Sequence, residues 1–142
     1  MAIEPINFVV FLMGPTASGK TELAIEISKH INSKLISVDS ALIYRGMDIG
    51  TAKPSKEILT AHPHELVDIC EPEGSFSVTE FISLAKKHIK SALAEGKLPI
   101  LVGGTSFYFN ALEHGLSELP SSTDESLKHF NDLLKSKFSL KL

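Results

Sequence analysis

The 142-residue sequence contains one cysteine, one arginine and no apolar run long enough to cross a lipid bilayer. A single cysteine, Cys70, excludes an internal disulfide, and no Cys/His pattern typical of a nucleophile surrounds it. A membrane-spanning helix needs about 20 consecutive apolar residues. The N-terminus also lacks the positively charged stretch of a secretory leader. We therefore expect no membrane association and a cytoplasmic location.

Positive charge is scarce as well. Fourteen Lys and Arg residues stand against 17 Asp and Glu residues, which gives a formal net charge of −3. No overall basic field is therefore available to attract nucleic acid, and such a role would need a local basic patch or a basic part outside this chain. The six histidines show no metal-ligand spacing. We expect His62 and His64, which flank Pro63, to be surface loop residues.

One stretch matches the phosphate-binding pattern G-x-x-x-x-G-K-[ST] at every fixed position. It consists of Gly14, Pro15, Thr16, Ala17, Ser18, Gly19, Lys20 and Thr21. Backbone N–H groups of such a loop surround phosphate oxygens, while Lys20 adds a positive charge and the Thr21 hydroxyl is placed to hold Mg²⁺. The motif therefore predicts a phosphorylated ligand, which could be a nucleoside triphosphate or another pyrophosphate ester.

Strand and helix patterns alternate along the chain. We predict strands over 7–13, 34–38, 64–69 and 98–102, and helices over 19–31, 56–62, 106–114 and 124–138. A further helix begins at the capping box formed by Ser77 and Glu80 and ends before Gly96. Residues 41–55 are predicted to form a long ordered loop. This alternation is typical of a P-loop NTPase-like α/β domain, a parallel sheet with helices on both faces, spanning 1–142.

Three segments are predicted to meet at the carboxyl edge of that sheet: the phosphate loop, Asp39 with Ser40, and residues 103–105. Asp39 could accept a proton or a hydrogen bond from a nucleophile. An aspartate at that position could equally serve as a turn cap. Thr105 could contact a ligand or only stabilise its turn.

Other side chains could also serve a phosphoryl or prenyl transfer site. Arg45, the sole arginine, or a lysine such as Lys53 could stabilise transition-state charge. Tyr44, Phe107 and Tyr108 could stack on a base or a prenyl chain. Of these aromatic residues, Phe107 is expected to pack in the core.

Four ordered blocks, residues 14–21, 36–44, 46–54 and 101–108, closely resemble the tRNA dimethylallyltransferase family. Its members prenylate N6 of the adenosine just 3′ of the tRNA anticodon, and the resemblance extends over about 8–120. It implies that the phosphate loop, chiefly 16–21, holds the pyrophosphate of dimethylallyl diphosphate, with Mg²⁺ near Thr21. It also implies that Asp39 is the general base, acting with Lys20 and Thr21 as the catalytic set. The implied tRNA contacts are Asp39, Ser40, Ala41, Leu42 (Gln in many members) and Thr105.

Members of this family are considerably longer than this chain. They carry a helical tRNA-binding insertion and a second phosphate-contacting arginine beyond the part that matches. The resemblance therefore implies that the chain is the N-terminal portion of such an enzyme, an incomplete sheet with low or no activity by itself, and we expect a monomer. One alternative is a small P-loop kinase that uses Mg²⁺-ATP and orients an acceptor hydroxyl with Asp39. Another is an inactive phosphate-binding remnant.

Overall fold

The computed structural model describes residues 6–116 and positions 125, 128, 129 and 132. The strands are β1 (Val10–Met13), β2 (Ser33–Ser37), β3 (His64–Glu65) and β4 (Leu98–Gly103). The helices are α1 (Lys20–His30), α2 (Lys56–Ala61), α3 (Val78–Ala94) and α4 (Ser106–His114). The helix predicted over 124–138 lies outside the continuously described range. None of the helices in the described part of the chain is long and apolar enough to cross a membrane.

The four strands form one parallel sheet in the order β1-β4-β2-β3. β4 therefore lies between β1 and β2, and its residues from Leu98 to Val102 are all buried. A strand enclosed on both faces is expected to be apolar throughout, as this one is. The predicted parallel α/β architecture is confirmed.

The core is divided by the sheet into two layers, because successive side chains of a strand point to opposite faces. One face carries Ile36, Val38 and Leu101, which cluster with residues of α3 and α4. The opposite face carries Leu35, Ile100 and Val102, which pack with Ala24 of α1 and are flanked by its Ile25 and Ile27. We call this second side the α1 face. Helices thus cover both faces of the sheet.

The third strand is much shorter than its sequence pattern predicts. β3 ends at Glu65, because Leu66 and Asp68 adopt left-handed backbone angles with φ of 66° and 54°. Such angles interrupt an extended strand. The chain then pairs once more, through a single bridge between Cys70 and Tyr44.

The capping box of α3 forms as predicted. The Ser77 hydroxyl accepts from the Glu80 N–H, and the Glu80 carboxylate accepts from the Ser77 N–H. The expectation for Phe107 is wrong. Its side chain is 60% exposed, whereas the neighbouring Tyr108 is buried and stacks on Phe81 with ring centroids 4.5 Å apart. Tyr108 is therefore a core residue.

Candidate functional site

The phosphate loop joins the end of β1 to the start of α1. Gly19 caps α1 with a left-handed backbone (φ 80°), no side chain caps the first N–H groups of the helix, and the first residues of the helix border an open space. Ala17 also has a left-handed backbone, with φ of 62°. For a residue with a Cβ this conformation is unfavourable, and such strain concentrates at functional sites. The loop is thus shaped to present backbone donors.

Lys20 folds back across this loop. Its Nζ donates hydrogen bonds to the Pro15 carbonyl and, at 3.1 Å, to the Ser18 hydroxyl. The ammonium group is therefore held against the loop, and Lys20 lines the same space as the start of α1. Among the described residues that line this space, Lys20 is the one Lys or Arg.

A cavity of about 150 Å³ lies between the phosphate loop and the carboxyl edge of the sheet. One water needs about 10–15 Å³ of a cavity measured in this way, so there is room for several waters or a small ligand. Its walls are Thr16, Ala17, Ser18, Gly19, Lys20, Thr21, Glu22, Ser37, Asp39, Leu42, Thr51, Ala52, Pro54, His64, Val67, Val102, Gly103 and Gly104. Gly14 and Pro15 line a second, neighbouring cavity of about 320 Å³ with Met13 and Phe109. The structure therefore gathers most of the predicted site residues around one space.

Asp39 borders this cavity directly after the end of β2. Its Oδ1 accepts hydrogen bonds from the N–H groups of Ala41 (2.8 Å) and Leu42 (3.2 Å). Within the described residues, no hydrogen bond engages the other carboxylate oxygen, Oδ2. The turn-cap interaction considered from sequence is therefore present, and it orients the carboxylate at the cavity wall.

Thr105 links the segment that follows β4 to the segment that follows β2. Its Oγ1 accepts a hydrogen bond of 3.0 Å from the Ser40 N–H, and its own N–H donates to the Val38 carbonyl at 3.3 Å. Ser40, Ala41 and Thr105 are not among the residues that line the cavity, but they adjoin Asp39, Leu42 and Gly104, which do. The three segments predicted to converge do meet at one edge.

Gly103 brings the two central strands together where this edge begins. A Cβ placed on it would lie 2.0 Å from the Val38 carbonyl oxygen. The position thus admits no side chain without backbone movement. The glycine keeps the ends of β2 and β4 in contact beneath the site.

The two positively charged side chains considered outside the phosphate loop, Arg45 and Lys53, bind other residues and not the cavity. Arg45 donates to the Glu71 carboxylate at 2.5 Å and to the Asp68 carbonyl at 2.8 Å. The Lys53 side chain is only 3% exposed and donates to the carboxylates of Asp48 (2.8 Å) and Asp68 (2.6 Å). Neither residue lines the cavity, so both fasten the 41–55 loop instead.

Lys53 should therefore matter for the stability of that loop. Its third bond, to the Tyr44 carbonyl at 2.8 Å, completes the donor set of the ammonium group. Lys53→Met leaves these acceptors without their partner, and we expect the thermal midpoint to fall by about 5 °C. Lys29→Met is the matched control, because Lys29 forms an exposed ion pair with Glu26 that should contribute almost nothing. Equal midpoints for the two variants in a calorimetric scan would contradict this role.

Four polar residues that line the cavity were not named from the sequence as site residues: Glu22, Ser37, Thr51 and His64. Ser37 is 3% exposed at the end of β2, and His64 lies in β3, so the expectation of a surface loop histidine is wrong. Burial lowers the pKa of His64. A serine at the end of a buried, otherwise apolar strand, beside a phosphate loop, was the available signal for Ser37.

The described residues contain no group of three or more His, Cys, Asp or Glu side chains able to enclose a metal ion. This does not conflict with Mg²⁺, which keeps several waters and takes one or two protein oxygens together with substrate phosphates. The cavity offers hydroxyl and carboxylate oxygens of this kind at Thr21, Ser37 and Asp39. The donor set fits a hydrated hard cation bound with a phosphate.

Known proteins match the chain along its whole length. The family profile described as IPP transferase matches residues 42–140. Two relatives named tRNA dimethylallyltransferase, from Ruthia magnifica subsp. Calyptogena magnifica and Vesicomyosocius okutanii subsp. Calyptogena okutanii, are 61% and 60% identical to it over 142 residues. These matches take in 100% of this chain and 47% of each relative. The chain thus spans about half the length of the curated relatives it matches.

Solved structures agree with this fold. The full-length tRNA isopentenylpyrophosphate transferase of Bacillus halodurans is 42% identical with a TM-score of 0.73, over 90% of this chain and 42% of that one. A eukaryotic dimethylallyltransferase acting on tRNA has a TM-score of 0.74 over 93% of this chain and 36% of its own, and at 23% identity it supports the fold alone. Since the family profile covers more than half of the sequence, this chain belongs to the IPP transferase family.

Proposed function

We propose that the protein transfers a dimethylallyl group from dimethylallyl diphosphate to N6 of the adenosine 3′-adjacent to the tRNA anticodon. In this proposal residues 1–142 form a single P-loop α/β domain that supplies the diphosphate site. The observation that carries it is the convergence of the phosphate loop, Asp39 and Thr105 around one edge of the sheet. These are the segments through which the sequence resembles the family.

The phosphate loop would bind the diphosphate of the donor. The free N–H groups at the start of α1 and the Lys20 ammonium both face the cavity, so they can donate to diphosphate oxygens. Negative charge on the diphosphate grows as the bond to the prenyl carbon breaks. Donors fixed beforehand at that place stabilise the transition state more than the ground state.

Mg²⁺ would be held at the Thr21 hydroxyl together with diphosphate oxygens. When bound, it would neutralise part of the charge on the departing diphosphate. Thr21 is half-buried at the cavity wall in the first turn of α1. Thr21 therefore lines the same space as the other residues of the phosphate loop.

Asp39 would act on the adenine. The N6 lone pair is delocalised into the ring, so the amine is a weak nucleophile until a base removes its proton. N6 forms a bond to C1 of the dimethylallyl group while the C1–O bond breaks, its electron pair leaves with the diphosphate, and the N6 proton passes to Asp39. The adenine has to leave its stack to reach this carboxylate. Leu42 at the cavity wall, and Ser40, Ala41 and Thr105 beside it, would contact the tRNA there.

The partners in this proposal are tRNA and dimethylallyl diphosphate. The net charge of −3 gives this chain little general attraction for tRNA phosphates, so most of the affinity for tRNA would come from elsewhere in the longer family architecture. We further infer a cytoplasmic monomer, since the proposed reaction needs tRNA and one diphosphate site.

Label transfer tests the proposal. The chain is mixed with Mg²⁺, unmodified tRNA that carries adenosine next to the anticodon, and dimethylallyl diphosphate labelled in the prenyl group. A parallel arm offers labelled ATP without tRNA. Label on tRNA supports the prenyl transfer, whereas label moved from ATP to an acceptor hydroxyl supports a kinase. Saturable diphosphate binding without transfer would contradict the proposed reaction for this chain and leave the phosphate site standing.

Lys20→Ala should weaken binding of dimethylallyl diphosphate about 50-fold, since hydrogen bonds to charged groups contribute about 1.5–3 kcal/mol. Titration calorimetry measures this constant directly. Lys29→Ala is the control, because Lys29 lies on the same helix but points to solvent and pairs with Glu26. An unchanged affinity in Lys20→Ala would refute the role assigned to the loop lysine.

A further inference from the structure

Two residues that line the phosphate cavity each carry a buried polar atom without a hydrogen-bond partner. Three buried side-chain polar atoms in the described part of the chain lack a hydrogen bond: Ser33 Oγ, Ser37 Oγ and His64 Nε2. Of these residues, Ser37 and His64 line the cavity. Leaving a buried polar atom unsatisfied costs about 1–3 kcal/mol. Two such atoms on residues of one cavity make it a place where a bound group can supply the missing hydrogen bonds.

The strand register places both residues on the face of the sheet that α1 covers. Leu35 pairs with His64, and Ser37 pairs with Val102. Paired residues of neighbouring strands point to the same face, and Leu35 and Val102 belong to the α1 face. Ser37 and His64 therefore lie on the α1 face, Ser37 at the carboxyl end of β2 and His64 at the start of β3, level with Leu35. The Thr21 hydroxyl borders the same cavity.

The hydrogen bond on the other ring nitrogen of His64 decides what Nε2 can do. Nδ1 lies 2.8 Å from the His62 carbonyl oxygen, which can only accept, so Nδ1 carries the proton. Burial lowers the pKa of His64, which favours the neutral ring. In a neutral imidazole protonated at Nδ1, Nε2 is an acceptor. The missing partner of Nε2 must therefore be a donor.

A diphosphate oxygen is an acceptor and cannot satisfy Nε2. Water is a donor, and water bound to a divalent cation is a stronger one because the cation polarises its O–H bonds. Mg²⁺ dehydrates reluctantly and keeps several waters when it binds with a phosphate. The Ser37 hydroxyl can accept from such a water or donate to one.

We propose that Ser37 Oγ and His64 Nε2 bind the water molecules of a hydrated divalent cation that enters the cavity with the diphosphate. They are positioning residues, which hold the cation through its waters while Thr21 and the diphosphate contact it. This inference rests on the proposed function, because it requires a diphosphate in the phosphate loop. It assigns a role to two residues that sequence motifs leave unexplained.

The test measures how pyrophosphate binding depends on Mg²⁺. Inorganic pyrophosphate is titrated into the full chain by calorimetry at a series of Mg²⁺ concentrations, including none. We expect Ser37→Ala and His64→Leu to raise the Mg²⁺ concentration for half-maximal effect about tenfold, as is typical when partners of a metal's ligands are removed. Pyrophosphate affinity without metal should stay within about twofold of the wild-type value. If Ser37 and His64 only stabilised the fold, the substitutions would change the Mg²⁺ dependence and the metal-free pyrophosphate affinity together.

Two matched variants sharpen the measurement. Ser33→Ala removes an equally unpartnered hydroxyl from the same strand and face, at the end far from the cavity, and should leave the Mg²⁺ dependence unchanged. His64→Gln keeps an acceptor near the place of Nε2 and should restore the Mg²⁺ dependence to within about threefold of wild type. Removing an unpaired hydroxyl relieves a desolvation cost, so we expect both alanine variants to fold.

An unchanged Mg²⁺ dependence in Ser37→Ala and His64→Leu, with pyrophosphate still bound, would overturn this inference and leave the phosphate site intact. The inference would also be overturned if Ser33→Ala shifted the Mg²⁺ dependence as much as Ser37→Ala does. Failure of the wild-type chain to bind pyrophosphate at any Mg²⁺ concentration would overturn both this inference and the proposed function. If His64→Leu does not fold, the comparison of Ser37→Ala with Ser33→Ala decides whether the inference stands.

Discussion

Gly103→Ala is expected to lower the free energy of unfolding by about 3 kcal/mol, the upper part of the usual range for overpacked positions. The added Cβ would lie 2.0 Å from the Val38 carbonyl oxygen and 2.5 Å from its carbon. The Val38 peptide cannot simply withdraw. Its N–H donates to the Val102 carbonyl at 2.8 Å, and its carbonyl accepts from the Thr105 N–H at 3.3 Å. Relief of the clash therefore breaks hydrogen bonds between the two central strands.

Urea unfolding followed by circular dichroism measures this loss. Gly104→Ala is the control, because its Cβ would meet nothing nearer than the Gly14 carbonyl oxygen at 3.3 Å. A shift of a few tenths of an ångström accommodates that contact, so its cost should stay below about 1 kcal/mol. Similar unfolding free energies for the two variants would mean that the strands can separate at Gly103 without penalty.

Asp39→Asn is expected to lower the rate of prenyl transfer about 10³-fold, within the range for loss of a general base. The asparagine carbonyl can still accept from the Ala41 and Leu42 N–H groups, so the turn that Asp39 caps should persist. The amide cannot take up the N6 proton. Diphosphate affinity should therefore stay within about twofold, since the phosphate loop is untouched.

Single-turnover label transfer to tRNA measures this rate. Asp48→Asn is the control, because Asp48 is half-exposed and pairs with Lys53 away from the cavity. Asp39→Ala separates the two roles of the carboxylate, since it removes the turn cap as well and should also cost about 1 kcal/mol of stability. If Asp39→Asn transfers label at the wild-type rate and Asp39→Ala is merely less stable, Asp39 is a turn cap and the base lies elsewhere.

Local patterns predicted the elements that depend on local chemistry. The capping box fixed the start of α3, and the apolar run of β4 indicated a central parallel strand. β3 was overpredicted, because the apolar character of Leu66 conceals its left-handed backbone angle. Residues 68–70 then bond to the 41–55 loop, and no local sequence pattern contains these contacts.

The aromatic pair in α4 shows the same limit. In a nine-residue helix the periodicity does not decide which of two adjacent aromatic residues faces the sheet. Packing on Phe81 selects Tyr108 and leaves Phe107 exposed.

The candidate site also has one part that the sequence predicts and one part that only the fold reveals. The phosphate loop is a contiguous motif, so its residues could be named from sequence. Ser37 and His64 are 27 positions apart and meet at the cavity only through the register of β2 with β3 and β4. Naming them requires the strand order, which the sequence pattern alone does not provide.

The central place of β4 also has a consequence for how the chain folds. β1 and β2 come first in the sequence, yet neither pairs with the other, and both pair with β4. Closing these long loops costs entropy before any strand pairing compensates for it, so such sheets form late and slowly. During synthesis the sheet cannot assemble until Gly103 has left the ribosome. Until then the apolar strand β1 and the start of the phosphate loop remain without their partner, a nascent segment that chaperones would be expected to bind.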